Sequence, residues 1–322
     1  MQTADELRDF YVARAHSPLE PLVSYLKVRQ QPAKLLFMGH RGSGKSTELA
    51  KLASRLEHQF MVAHFHAGQM LNLSSDVKPM DVVLGCGFAL LNAAFEHYVT
   101  WDHELWNKLE QWLRNNVLTE KVKVKQHAGG VGVSLKLFIT ELSAKWHAES
   151  ATRTEIRPRL RTILSELADR INQAIEHIRT YSGRPPLILV EDLDKTLLPQ
   201  AEEMFFQEGD LLRLLNCHIV YTFLIALRYS NDYAQIRLKF ETDFKLPNVI
   251  VTNRDGSPDE VGRAILRDLV LRRADASLFA PEALDRAVEW SGGLETISKL
   301  GFGGRIGFSL SPNPRGEGQS RR

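Results

Sequence analysis

Short apolar runs alternate with longer stretches of helical periodicity along this chain. The runs at 34–38, 60–66, 187–190, 217–222 and 244–251 predict strands. Leu187-Ile188-Leu189-Val190 has no polar alternation at all, which predicts a parallel strand buried on both faces. Between the strands lie helical patterns. Thr3-x-x-Glu6 and Ser17-Pro18-Leu19-Glu20 read as capping boxes opening two amino-terminal helices over residues 1–32. Leu49, Leu52, Ala53 and Leu56 share one helical face, and residues 79–98 predict a largely buried helix. Leu105, Trp106, Leu109, Trp112, Leu113 and Val117 form a stripe at helical spacing, which reads as core rather than as a base-stacking platform.

The pattern then changes. Val122 and Val124 alternate with Lys121, Lys123 and Lys125, and after His127-Ala128-Gly129-Gly130 the alternation resumes through Val131, Val133, Leu135 and Leu137. This predicts a β-hairpin with a glycine turn. The three lysines read as a solvated strand face, with a partner or nucleic-acid contact as the alternative. From about Pro158 a long amphipathic helix runs through Ile178 to a Gly183 cap. Residues 102–181 thus read as a helix–hairpin–helix insertion within a core spanning 33–256. A helical stretch around 201–215 follows the third strand. Ser257-Pro258-Asp259-Glu260 and Pro281 open two helices of a partial helical lid, 257–298, and the glycine- and arginine-rich residues 299–322 read as a disordered tail.

The 322 residues are 43% hydrophobic and 25% charged, a globular composition, and the net charge of +2 gives no global field toward nucleic acid or membrane. The most apolar stretch, 82–95, contains Asn92 and is too short to span a bilayer. The expectation is therefore a cytoplasmic protein with no membrane partner. Cys86 and Cys217 are far apart, lack metal-like spacing and read as buried thiols. His64 and His66 alternate with apolar residues; with no third ligand visible in the sequence, they read as the polar face of a strand.

One stretch carries chemistry. After the first strand comes Gly39-His40-Arg41-Gly42-Ser43-Gly44-Lys45-Ser46-Thr47, which fits G-x-x-x-x-G-K-[ST] between a strand and a helix. Such glycines let backbone N–H groups close around a polyphosphate, which the positive end of the following helix also favours. Lys45 then reaches the β- and γ-phosphates, and the Ser46 hydroxyl ligates Mg²⁺. The chain is expected to bind a nucleoside triphosphate with Mg²⁺ through residues 39–47.

A second acidic element, Glu191-Asp192-Leu193-Asp194-Lys195, ends the 187–190 strand. There one carboxylate is needed for Mg²⁺ and another to polarise the attacking water. Glu191 occupies the metal position and Asp192 the catalytic one, with the roles open to exchange because aspartate is usual at the first. The extra methylene of glutamate makes slow hydrolysis a serious expectation. Thr222, at the end of another strand, is a candidate sensor of the γ-phosphate or an ordinary strand-end threonine. Arg228 and Arg237 are candidate arginine fingers, although solvated arginines are the safer reading.

These two motifs resemble those of bacterial AAA-type and STAND-type P-loop ATPases, particularly the KAP-like and origin-recognition-like branches, whose second motif often reads Asp-Asp-Leu-Asp before a basic residue. The resemblance covers the layout from Ser17 to Gly293. It implies an α/β, three-layer P-loop sandwich with a parallel sheet, adenine over guanine, and nucleotide-coupled conformational change or assembly, with self-association. The nearest approach to a guanine-reading [NT]-K-x-D motif is Asn107-Lys108-Leu109-Glu110, which lacks the aspartate. Tyr221-Thr222 matches the first sensor strand of the family. Past Ser291-Gly292-Gly293, where the family continues with an arginine-bearing helix, the next arginine is Arg305, so a truncated or frame-altered member is expected. An ATPase is the first expectation and a non-hydrolysing ATP-dependent switch the second. A DNA-associated initiator or loader is the third, although a basic recognition helix is not seen.

Overall fold

The computed structural model describes residues 4–71, 73, 77–97, 102–119 and 131–295. In chain order these form α1 (Ala4–Phe10), α2 (Leu19–Val28), β1 (Lys34–Gly39), α3 (Lys45–Leu56), β2 (Met61–His66), α4 (Ala67–Met70), α5 (Pro79–Glu96), α6 (His103–Asn116), α7 (Val131–Ala148) and α8 (Ser150–Ser182). There follow β3 (Pro186–Glu191), α9 (Leu198–Glu202), β4 (His218–Phe223), α10 (Tyr233–Lys239), β5 (Thr242–Leu246), α11 (Glu260–Leu271) and α12 (Pro281–Trp290).

The apolar runs form one five-stranded sheet, ordered β2-β3-β4-β1-β5, with every neighbouring pair parallel. β1, β3 and β4 are buried along their whole length, which is why they read as unbroken runs. Alternate strand residues point to opposite faces. Leu36, Met38, Ile188, Val190, Ile219 and Tyr221 join the larger core beneath α5 to α8. Leu35, Phe37, Leu187, Leu189 and Val220 join a smaller core beneath α2 and α3.

Chain direction explains the two layers. The steps from β2 to β3, β3 to β4 and β4 to β5 all run one way across the sheet, and α5, α8, α9 and the segment around α10 contribute to the larger core. The step from β1 to β2 runs the other way, and α3 lies on the opposite face. Right-handed crossovers require this division. The chain therefore leaves β1 and β4, which are neighbours, toward opposite faces, and a crevice opens at their carboxyl ends.

The insertion departs from expectation. Residues 131–137, predicted as the second arm of a hairpin, begin the helix α7. Leu135, Phe138, Ile139, Leu142 and Trp146 are buried at helical spacing against the larger core. The first arm, with Lys121, Lys123 and Lys125, lies outside the described residues, as does the tail 299–322. α8 starts at Ser150 and carries Pro158 inside it instead of starting there. Trp106, Leu109, Trp112 and Leu113 on α6 are core residues, as their spacing predicts.

Smaller differences have local causes. β5 stops at Leu246 because Pro247 has no N–H to continue the ladder, so Val249 and Val251 turn away and pack with Leu266 and Val288 under α11 and α12. The predicted helix over 201–215 is short pieces, α9, then a π-turn over Glu203–Gln207 and a 3₁₀ turn over Gly209–Arg213. α11 is capped by Asp259, whose side chain accepts from the Gly262 N–H, in place of Ser257. Ser17 accepts from the Leu19 N–H, but Glu20 turns to Arg55 instead of closing a capping box. Among the described residues one helix, α5, is long and apolar enough to cross a membrane, and it lies mostly buried in the larger core. Both cysteines are buried free thiols; burial pushes Cys217 up to about 12.

Candidate functional site

The crevice at the ends of β1 and β4 is built from backbone requirements upward. A Cβ at Gly39, the last residue of β1, would lie 2.8 Å from the Leu246 carbonyl oxygen of β5 and 2.8 Å from Ser43 Oγ, so only glycine lets β5 and the loop approach. Ser43 N–H donates to the His40 carbonyl at 3.1 Å, closing a turn. Gly42 and Gly44 have φ of 83° and 87°, the left-handed region that glycine enters without strain. Gly44 caps α3 and Lys45 is its first residue.

Lys45 is buried, and its ammonium is fully engaged. It donates to the carbonyls of Gly39 at 2.9 Å and His40 at 2.8 Å and pairs with Asp194 Oδ2 at 3.0 Å. The two sequence motifs therefore meet through Lys45 and Asp194, a residue within the acidic motif to which the sequence reading gave no role. The reason lies two residues earlier. Asp192 has φ of 72°, the one non-glycine residue with positive φ among those described, and it reverses the chain into the 3₁₀ turn Leu193–Lys195. Strand alternation ends there. Leu193 turns into the core, while Asp192 and Asp194 both face the crevice.

Thr222 on β4 holds this turn in place, its Oγ1 accepting from the Leu193 N–H at 3.0 Å. The Thr222 hydroxyl keeps its own proton to donate. The cleft, about 210 Å³, is lined by Arg41, Gly42, Gly44 to Thr47, Asp192, Asp194, Lys195 and Thr222, with Arg273 and Glu295 closing it from the carboxyl-terminal side. Ser46 is exposed along it, and Lys195 ion-pairs with Asp192 Oδ1.

Glu191 is placed elsewhere. It shares strand parity with Leu187 and Leu189, and so faces the α3 side of the sheet beside the edge strand β2. Its Oε1 lies 3.6 Å from Nδ1 of His64 and 3.6 Å from Nδ1 of His66. It is not among the lining residues of the cleft, where the Mg²⁺ role expected of it belongs; Asp192 and Asp194 are. His64 and His66, read as a plain polar face, therefore do have a third donor beside them. Arg228 and Arg237 both pair with Asp243 in their own chain, at 2.7 and 2.8 Å, away from the cleft and not free in solvent.

A charge cluster that no motif announces closes the mouth. Arg14, between α1 and α2, donates to the Ser43 carbonyl, pairs with Glu295, and lies 3.7 Å from Glu48 Oε1. Ser17 Oγ donates to Glu48 Oε2 at 2.7 Å. The Glu295 N–H donates to the Gly42 carbonyl at 3.0 Å, so the segment after α12 is docked on the loop. Burial raises the carboxyl pKa of both Glu295 and Glu48, partly offset by Arg14, and raises the Tyr11 hydroxyl to about 12. Burial also lowers Arg273, which sits over the Phe10 ring at 5.5 Å. On the other side of Arg14 a second cleft, about 220 Å³, is lined mainly by apolar groups of Ala15, Pro247, Val249, Ile250 and Ile265. Only tertiary contact joins these residues, and the sequence carried no signal for them. No protein-family model matches the chain, and no curated protein is significantly similar to it.

Proposed function

We propose that this chain is a P-loop protein of three-layer α/β type that binds Mg-ATP and hydrolyses it to drive or regulate conformational change or assembly. The observation that carries this reading is Lys45. A buried lysine at the first position of a helix, behind two left-handed glycines, is held by the carbonyls of its own loop and by a carboxylate from the acidic turn. That arrangement supports anion binding, since loop amides, helix terminus and ammonium converge at a topological switch point.

The donor set fits the ligands. Ser46 and Asp194 supply hard oxygen donors at the cleft and would hold Mg²⁺. When bound, Mg²⁺ neutralises charge between the β- and γ-phosphates. Lys45 exchanges Asp194 for phosphate oxygen while its two carbonyl bonds keep the ammonium aimed. Asp192 accepts the proton of the attacking water, and Thr222 keeps the acidic turn in register while its hydroxyl retains a proton to donate. The apolar cleft beyond Arg14 suits a base, with the guanidinium between base and phosphates.

A second reading, a switch that binds ATP with negligible turnover, is favoured by one observation: Lys195 already neutralises Asp192, the group needed as base. Single-turnover hydrolysis of Mg-ATP by the wild type, Asp192→Ala and Asp194→Ala separates the two. An ATPase loses turnover but keeps nucleotide in Asp192→Ala. A switch shows no turnover in any of the three.

A further inference from the structure

His64, His66 and Glu191 lie outside the nucleotide cleft, and their chemistry is unused by the function proposed above. The period of two in β2 puts both histidines on one face, and β2 pairs with β3 so that His66 stands opposite Glu191. The imidazoles are stacked, with ring centroids 6.0 Å apart and planes 11° from parallel. One donor atom from each of the three residues lies within 4.8 Å of the other two.

Their hydrogen bonding is incomplete. The Glu191 side chain is only 5% exposed, and at 3.6 Å its contacts with the imidazoles are too long for hydrogen bonds. Among the described residues it accepts no other. His64 Nδ1 and His66 Nε2 are buried and without hydrogen-bond partners. The unpartnered His64 Nδ1 faces this nearly buried carboxylate, which is costly and calls for an ion or another ligand. On His66 the nitrogen that meets Glu191 is Nδ1, and the unpartnered one is the other ring nitrogen, Nε2.

We propose that His64, His66 and Glu191 form a binding site for a divalent first-row transition metal ion, with zinc as the reference occupant. Two donors each about 2.0–2.2 Å from a tetrahedral zinc ion lie roughly 3.4 Å apart, close to the 3.6 Å seen from Glu191 to each imidazole. Small rotations of the rings close the set. Two imidazoles with one carboxylate suit zinc and its neighbours, whereas Mg²⁺ and Ca²⁺ prefer oxygen throughout. Three protein donors leave at least one position for water. Glu191 directly precedes Asp192, so a bound ion ties the edge strand β2 to the strand end that presents the acidic turn. The proposal stands independently of nucleotide binding.

The test is titration of the chelator-stripped full chain with Zn²⁺ against a chromophoric competitor, without nucleotide, followed by Co²⁺ substitution read by visible absorption. We expect one saturable site, the absorption of low-coordinate cobalt, and a loss of affinity of about 100-fold or more in His64→Ala and in Glu191→Gln. Lys45→Ala should keep the site. His66→Asn replaces His64→Ala if the latter does not fold, as judged by circular dichroism without metal. A wild type with no saturable zinc binding overturns the proposal, as does binding that persists undiminished in a folded His64 or His66 variant.

Discussion

Two places along the same sheet, one interior and one at its edge, handle buried charge in opposite ways. At the β1–β4 crevice, Lys45 has three partners within 3.0 Å and Thr222 braces the acidic turn. At the β2–β3 edge, a carboxylate and two imidazoles face one another without a hydrogen bond. Glu191 and Asp192 are chain neighbours, yet one belongs to each place, because the left-handed turn at Asp192 ends the strand between them. Adjacent acidic residues in a motif thus need not serve one ion, and backbone conformation decides which of them reach the cleft.

The sharpest way to break this contrast is to remove the neighbours separately. Asp192→Ala is expected to lower single-turnover hydrolysis by about 10²–10⁴-fold, the usual worth of a positioned base, and Glu191→Gln by less than tenfold. Equal losses would merge the two sites into one.

A third histidine shows what a satisfied one looks like. His218 accepts the Ala33 N–H at Nδ1, 3.3 Å away, and burial, reinforced by Lys34, lowers its pKa to about 4. The folded state thus binds its proton later than the unfolded chain does. This stability is fully present above the unfolded value of 6.5 and is lost as pH falls toward about 4, on the order of 3 kcal/mol in all. Urea unfolding at pH 7 and pH 4.5 measures it, and His218→Asn, which accepts without titrating, should flatten the difference.

A smaller effect is expected at the loop. A Cβ on Gly44 would collide with the Glu295 carboxylate and the Arg14 guanidinium at a left-handed φ, so Gly44→Ala should cost about 1–2 kcal/mol in thermal or urea unfolding and weaken nucleotide binding in parallel. The smallest is at the mouth. Glu295→Gln removes a negative charge beside the loop between β1 and α3 and should, on the proposed function, tighten ATP binding severalfold at neutral pH. Because burial raises the Glu295 pKa, wild-type affinity should rise toward the variant's as pH falls through that pKa; unchanged affinity in the variant would remove Glu295 from the account.

The core and the insertion differ in how much of them the sequence discloses. In β1, β3 and β4 both faces are buried, so apolar runs have one reading. The glycines with positive φ and the lysine after them were visible because their conformations are set within the loop itself, whereas the bond from the Leu193 N–H to Thr222 joins two strand ends and was not. Val131 to Leu137 were not, because a helix packed broadly against α5, α6 and α8 can mimic alternation over seven residues, and only the spacing from Leu135 to Trp146 reveals it. Pro158 suggested a helix start, but buried Thr152, Arg153 and Ile156 hold the preceding turns in place. Arg14, Glu48 and Glu295 come together only when the segment after α12 docks on the loop, and the third donor beside His64 and His66 lies on a strand far along the chain.

The central claim is that Lys45 and its loop hold the phosphates of ATP. Equilibrium titration of the full chain with a fluorescent ATP analogue and Mg²⁺, competed with unlabelled ATP and compared with Lys45→Ala, tests it most directly. The account predicts saturable, competable binding that falls about 100-fold or more in the variant. Binding absent from the wild type, or equal in a folded Lys45→Ala protein, would contradict it.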